Sequence, residues 1–273
     1  MPHTTGEGGC LIWYEEGGSG EPLLLIAGAG ASLQGWLELR PAFERRHRVL
    51  AYDHRGVGRS DAPFDPPYSV EMFAADAIAV LDSAGVVRTH LYGLSLGGRI
   101  AQRLAIDYPD RVGAVILGCT SAGKRGVGRP AESTRRMRGE GDPATRVQGL
   151  IDTLFTPAFQ AEQPESVKTF MEVILKPKPS HVVPYHMAAT DNFDSWVELP
   201  SIGAPVLVVH GTDDRVCPVA NADLLAERIP GAELHLIKGG RHGYPYEFHP
   251  EVTEVVLDFI SRHPLPTRGL SQP

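Results

Sequence analysis

At 273 residues, 42% hydrophobic and 22% charged, the chain is long enough to bury one large core, and its composition excludes the disordered and fibrous classes. Its 26 basic against 33 acidic residues give a formal charge of −7, which argues against the dominant basic face of a general nucleic-acid binder. No apolar run approaches the roughly 18 residues of a membrane span, and the opening MPHTTGEGGC has neither the basic start nor the apolar run of a signal peptide, so a cytoplasmic protein with no membrane span is expected.

Taken in chain order, CLIWY, PLLLIAG, HRVLAYD, THLYG and VGAVILG are short apolar runs bounded by turn residues, and they predict strands. Several are apolar throughout, as in a parallel sheet covered by helices on both faces. Between them, SVEMFAADAIAVLDSAG carries apolar residues at helical spacing, with Ser69 as its cap and Gly85 at its end. GGRIAQRLAIDYPD predicts a further helix that stops near Pro109. Beyond Leu117 the rhythm breaks, and ATRVQGLIDTLF and ESVKTFMEVILK predict helices in a stretch without strands. APVLVVHG, VANADLLAERIP, AELHLIKGG and EVTEVVLDFISRH then restore the strand–helix alternation. The expected architecture is a mostly parallel α/β core over 1–122 and 200–265, a helical cap or lid over 123–199, and a loose tail over 266–273. Cys10, Cys119 and Cys217, odd in number and scattered, read as reduced, buried thiols.

One serine stands apart. In HLYGLSLGGRIAQ, Ser95 falls between a predicted strand and a predicted helix, flanked by Gly93 and Gly97. A tight strand-to-helix turn forces its central residue into a strained conformation, and the glycines let the two elements approach. Ser95 is thereby lifted above the sheet edge at a helix amino end, where backbone N–H groups favour developing negative charge.

Gly93-Leu94-Ser95-Leu96-Gly97 resembles the nucleophile elbow, G-x-S-x-G, of the α/β-hydrolase family. YDHRGVGRSD, Tyr52 to Asp61, is similar to the D-x-R-G-x-G-x-S loop of the same family, in which Asp53 and Arg55 are expected to hold the loop rather than do chemistry. The resemblance implies an α/β-hydrolase fold with an inserted lid and a Ser-acid-His chain order. It maps the acid onto Asp214, through Gly211, Asp214 and Pro218, with Asp213 as the alternative. Of the 11 histidines, His242 alone combines a strand end, a glycine-rich loop and a following helix. His235 lies within a strand, His249 adjoins the last helix, and His210 is expected to pack. The oxyanion hole would use the main-chain N–H of Leu96 and of Ala29, although Ala27-Gly28-Ala29-Gly30 lacks the histidine that many relatives carry there.

The implied activity is that of a serine hydrolase acting on an ester or lactone through an acyl-enzyme on Ser95, with no cofactor. LIDTLFTPAFQAEQPESV and YGLSLGG also look like the 3-oxoadipate enol-lactone hydrolase branch. Carbon–carbon bond hydrolases, cofactor-free haloperoxidases or perhydrolases, and non-catalytic ligand-binding members share the outline and remain alternatives. Gly28-Ala29-Gly30 fails the dinucleotide fingerprint at Leu33, and metal-binding spacings are missing. Gly28, Trp36, Phe155, Phe159 and Trp196 are candidate substrate-binding residues, and Phe170, Met171, Met187 and Phe193 further apolar candidates. Lys124, Arg125, Arg129, Arg135, Arg136 and Arg138 form a basic run broken by Glu132, a solvated face or a carboxylate contact. The expected partner is a small-molecule substrate; oligomeric state leaves no local signal.

Overall fold

A computed structural model describes residues 2–36, 39–128, 130–131 and 142–266. The basic positions Arg129, Arg135, Arg136 and Arg138, with Glu132 and the tail from 267 onward, lie outside the described residues.

Strands β1 (His3–Thr5), β2 (Leu11–Gly17), β3 (Pro22–Ile26), β4 (Arg48–Tyr52), β5 (Thr89–Leu94), β6 (Val112–Gly118), β7 (Val206–Gly211) and β8 (Glu233–Ile237) form one sheet in the order β1-β2-β4-β3-β5-β6-β7-β8. The β1–β2 and β2–β4 pairs are antiparallel, and every pairing from β4 across to β8 is parallel. The central strands are apolar throughout because both faces are covered. Leu24, Ile26, Val115, Leu117, Val206 and Val208 enter one core layer, while their neighbours Leu23, Leu25, Ala114, Ile116, Leu207 and Val209 enter the other, as the two-residue period of a strand requires.

Helices α2 (Val70–Ser83) and α3 (Leu96–Asp107) cover the first face through Phe73, Val80, Ile100 and Leu104. The Ser69 hydroxyl caps α2, accepting from the Met72 N–H at 3.2 Å, and Gly85 closes it at φ +66°. Helix α1 (Arg40–Glu44) covers the opposite face with Phe43.

Four helices are described between β6 and β7: α4 (Pro143–Leu154), α5 (Pro157–Glu162), α6 (Pro164–Ile174) and α7 (Val182–Asn192). They divide their loyalties. Phe155, Val167 and Met171 form a small core of their own with Phe159 and Phe170, whereas Ala189 and Phe193 join the core of the sheet on the α2–α3 face. After β7 come α8 (Ala220–Arg228), α9 (Tyr244–Glu247) and α10 (His249–Ser261). Helix α10 lays Val252, Val256, Phe259 and Ile260 on the α1 face. Among the described residues, no helix is long and apolar enough to cross a membrane.

Candidate active site

Ser95 occupies the single residue between β5 and α3, at φ 56°, ψ −112°. This is the left-handed side of backbone space, which costs a residue with a Cβ about 1–3 kcal/mol. Neighbours hold it there: its N–H donates to the Gly118 carbonyl at 2.9 Å, and its carbonyl accepts from the Thr120 hydroxyl at 2.7 Å. Glycine is required on both sides, since a Cβ at Gly93 would run into the Gly97 carbonyl oxygen, and one at Gly97 into the Ile26 carbonyl oxygen. Residues 91–98 are buried apart from Ser95 itself, which is half-buried.

Asp214 and His242 meet. The Nδ1 of His242, in the loop after β8, lies 2.7 Å from Oδ2 of Asp214, in the loop after β7. The other oxygen, Oδ1, accepts from the Val216 and Cys217 amides at 2.7 and 2.8 Å. Burial alone would raise this carboxyl, but the imidazoles of His242 and His210 prevail and hold it well below the usual carboxylate range. Asp213, the alternative, makes a local bond to the Thr212 hydroxyl, which donates to it at 3.3 Å.

The segment Ala27–Gly30 lies over the elbow: a Cβ on Gly28 would sit 3.5 Å from the Ser95 Cβ. It forms a turn closed by the Ala31 N–H on the Gly28 carbonyl at 3.2 Å. Gly30 takes φ +73°, the sign that a type II turn demands at its third position. Ala29 packs half-buried against the core. Leu96 opens α3, and the first amides of a helix have no partner within it.

The aromatic candidates divide. Phe155 and Phe159 pack with ring centroids 5.3 Å apart and border a cavity of about 20 Å³ with Phe170 and Tyr246, room for about one water molecule. Trp36 is fully buried edge-on to Tyr92 at 5.2 Å, and Trp196 stacks under the Arg228 guanidinium at 5.2 Å; both are accounted for by packing. Asp53 and Arg55 hold their loop as the sequence implies. Asp53 accepts from the Leu33 and Arg59 amides at 2.7 and 2.8 Å, and buried Arg55 pairs with Asp76 of α2 at 2.7 Å. A polar cavity of about 240 Å³ borders this loop and includes Ser32, Arg59, Lys176 and Lys178 in its wall.

Two features escape local sequence reasoning. His210, expected to pack, faces the acid: its Nε2 donates to the Cys217 carbonyl at 2.8 Å and stands 3.4 Å from Asp214 Oδ2. Burial disfavours its cation, yet these oxygens prevail and raise it to about 10. The second feature is a brace on the His242 loop. Arg241 donates to the Asp152 and Phe155 carbonyls at 2.5 and 2.7 Å, and the Gly243 N–H donates to the Leu154 carbonyl at 2.8 Å. The residues on either side of His242 are thus tied to the carboxyl end of α4. All three cysteines are free and buried. Burial pushes the Cys119 thiol well above its ordinary range, leaving it a packing group rather than a reactive thiol.

The arrangement of strand, elbow and loops has clear counterparts. The family model described as alpha/beta hydrolase fold matches residues 21–248. A protein of Variovorax paradoxus named putative carbamate hydrolase RutD is 30% identical over 92% of this chain and 96% of its own length. The solved enol-lactonase of Burkholderia xenovorans superposes with a TM-score of 0.83 at 28% identity, covering 95% of this chain and all of that one (100%). The structure titled Est816 as an N-acyl homoserine lactone degrading enzyme superposes at 0.81 with 32% identity, over 95% of this chain and 100% of that one. On its fold, its elbow and these matches, the chain belongs to the α/β-hydrolase family.

Proposed function

We propose that the protein is a serine hydrolase that cleaves a carboxylic ester or lactone through an acyl-enzyme on Ser95, with Asp214 and His242 completing a triad. Nε2 of His242 takes the Ser95 proton as the hydroxyl oxygen attacks the carbonyl. The negative charge moves to the carbonyl oxygen, which the N–H groups of Leu96 and Ala29 receive. Collapse expels the alkoxide, which leaves with the proton from His242. Water then adds by the same route and frees the acid. Asp214 fixes the imidazole with Nδ1 protonated and balances its transient charge. The helices between β6 and β7 serve as the lid, with Phe155 and Phe159 near its base.

The observation that carries this reading is the 2.7 Å bond between His242 and Asp214, on the loops after β7 and β8, in a chain whose β5 ends at a serine held at φ 56°. Shared by the esterase and lactonase readings is acyl transfer; the relative named for carbamate hydrolysis extends it to a carbamate carbonyl. The test is a hydrolysis screen with p-nitrophenyl esters of graded chain length, lactones, a carbamate and a dienoate. Turnover of an ester or lactone, lost in Ser95→Ala together with fluorophosphonate labelling, is the expected result. Turnover that survives Ser95→Ala overturns it, and cleavage of the dienoate alone would move the assignment to carbon–carbon bond hydrolysis.

A further inference from the structure

The loop proposed to supply an oxyanion donor is built from Ala27, Gly28, Ala29, Gly30 and Ala31. None of these carries a side chain longer than a methyl group, and two are glycines, so the segment cannot fix itself by side-chain bonds and has high intrinsic freedom. Its rigidity has to come from outside, and two buried histidines supply it. At one end, Nε2 of His54 lies 2.9 Å from the Ala27 carbonyl oxygen. At the other, the Gly30 N–H donates to Nδ1 of His186 at 3.1 Å.

Each ring has its protonation defined by what it touches. A carbonyl oxygen only accepts, so His54 carries its proton on Nε2. His186 accepts at Nδ1 and bonds the Arg55 carbonyl through Nε2 at 2.9 Å, so it too is neutral with Nε2 protonated. Burial favours that form in both rings. The rings pack at 6.0 Å from each other and at 5.2 and 5.0 Å from Phe73. Arg55 is in turn fastened to Asp76 of α2. His186 belongs to α7, His54 to the loop after β4, and both reach the same five-residue segment.

Resting on the hydrolase reading above, we infer that His186 and His54 are positioning residues for the oxyanion hole: they clamp both ends of the Ala27–Gly30 segment and so aim the Ala29 N–H. Because His186 consumes the Gly30 N–H, that amide is withdrawn from the oxyanion, and the role stays with Ala29 as proposed above. The inserted segment thereby contributes to the catalytic step as well as covering the site. Neither ring touches the reacting atoms. Both act through the main chain, where a displacement of about 1 Å is enough to cost on the order of 100-fold in rate.

The test compares His186→Leu, which keeps bulk but no polar atom, with His186→Gln, whose amide offers one acceptor and one donor. With an ester substrate, His186→Leu should lower kcat by about 10- to 100-fold with KM within about two-fold. His186→Gln should recover most of that loss. Hydrogen exchange followed by mass spectrometry should show faster exchange over residues 27–31 in His186→Leu and near-wild-type protection in His186→Gln. If His186→Leu does not fold, His54→Leu releases the other end and should show the same split. Unchanged kcat with the bond removed, a loss confined to KM, or a loss that His186→Gln does not repair would each overturn the inference. The exchange measurement needs no turnover, so it decides the clamp even if Ser95→Ala were to overturn the triad.

Discussion

At the scale of single residues, the site works by holding groups where they would not otherwise stay. Ser95 at φ 56° is the plainest case, because the strain belongs to its Cβ and is relieved by glycine. Ser95→Gly should therefore be more stable than Ser95→Ala by about 1 kcal/mol, measured by chemical denaturation, although both remove the proposed nucleophile. Asp214 carries two duties, since one oxygen meets His242 and the other closes the turn onto the Val216 and Cys217 amides. Asp214→Asn keeps an acceptor for the turn but offers the imidazole a neutral amide; kcat should fall about 10³- to 10⁴-fold, with the protein still folded by circular dichroism. The Ser95 and Asp214 positions carry short motifs that resemble those of the family, Gly93 to Gly97 around the serine and Gly211 to Pro218 around the acid. His210 and Asp76 are not, because each acts on a partner that only folding brings near: Asp214 across a turn, and Arg55 from 21 positions away.

At the scale of elements, the strands were legible wherever apolar runs were long enough to be buried on both faces, and the bounds of α2 and α3 followed from Ser69 and Pro109. Strand β1 was not legible: its three residues, His3–Thr5, are polar or small and pair only at the sheet's edge with Leu11–Trp13. Helix α7 was hidden for a different reason, since its sequence VVPYHMAATDN has a proline in its first turn and no clear apolar stripe. Its placement depends on His186 and Ala189 meeting the core. The brace on the His242 loop is likewise a tertiary feature, with the carboxyl end of α4 receiving Arg241 and Gly243. Arg241→Ala should free that loop. The expected outcome is a roughly ten-fold loss of kcat with a destabilisation of about 1–3 kcal/mol from the unpaired carbonyls, read from steady-state kinetics and a urea melt.

At the scale of the whole molecule, buried histidines make stability depend on pH. Burial lowers His54 to about 4 and His186 to about 3. In the unfolded chain both protonate near 6.5. Between those values the unfolded state binds protons that the folded state refuses, so the stability these rings contribute is complete above about 6.5 and is lost as pH falls toward 4 and below. From pH 6.5 to 5 the loss is on the order of 2 kcal/mol per ring. His210, raised to about 10, has the opposite sign: its contribution is complete below about 6.5 and is lost progressively as pH rises from there through 10, so it adds little slope below pH 6.5. The melting temperature should therefore drop by roughly 10 °C between pH 7 and pH 5, and by clearly less in His186→Gln. Scanning calorimetry at the two pH values checks both statements.

Strand order has a further effect. Because β6 lies between β5 and β7, the chain that leaves it for α4–α7 emerges midway between the strand that ends at Ser95 and the one that leads to Asp214. The β6–β7 pairing, from Val115↔Val206 to Gly118↔Val209, lies below that exit, and of the segment above it Ala189 and Phe193 reach down into the core of the sheet. A change in this segment thus alters what stands over Ser95 and Asp214 without altering the strands that carry them. Two ties would have to be carried along or reinvented with each graft: the latch through His186 and the carbonyls that receive Arg241 and Gly243.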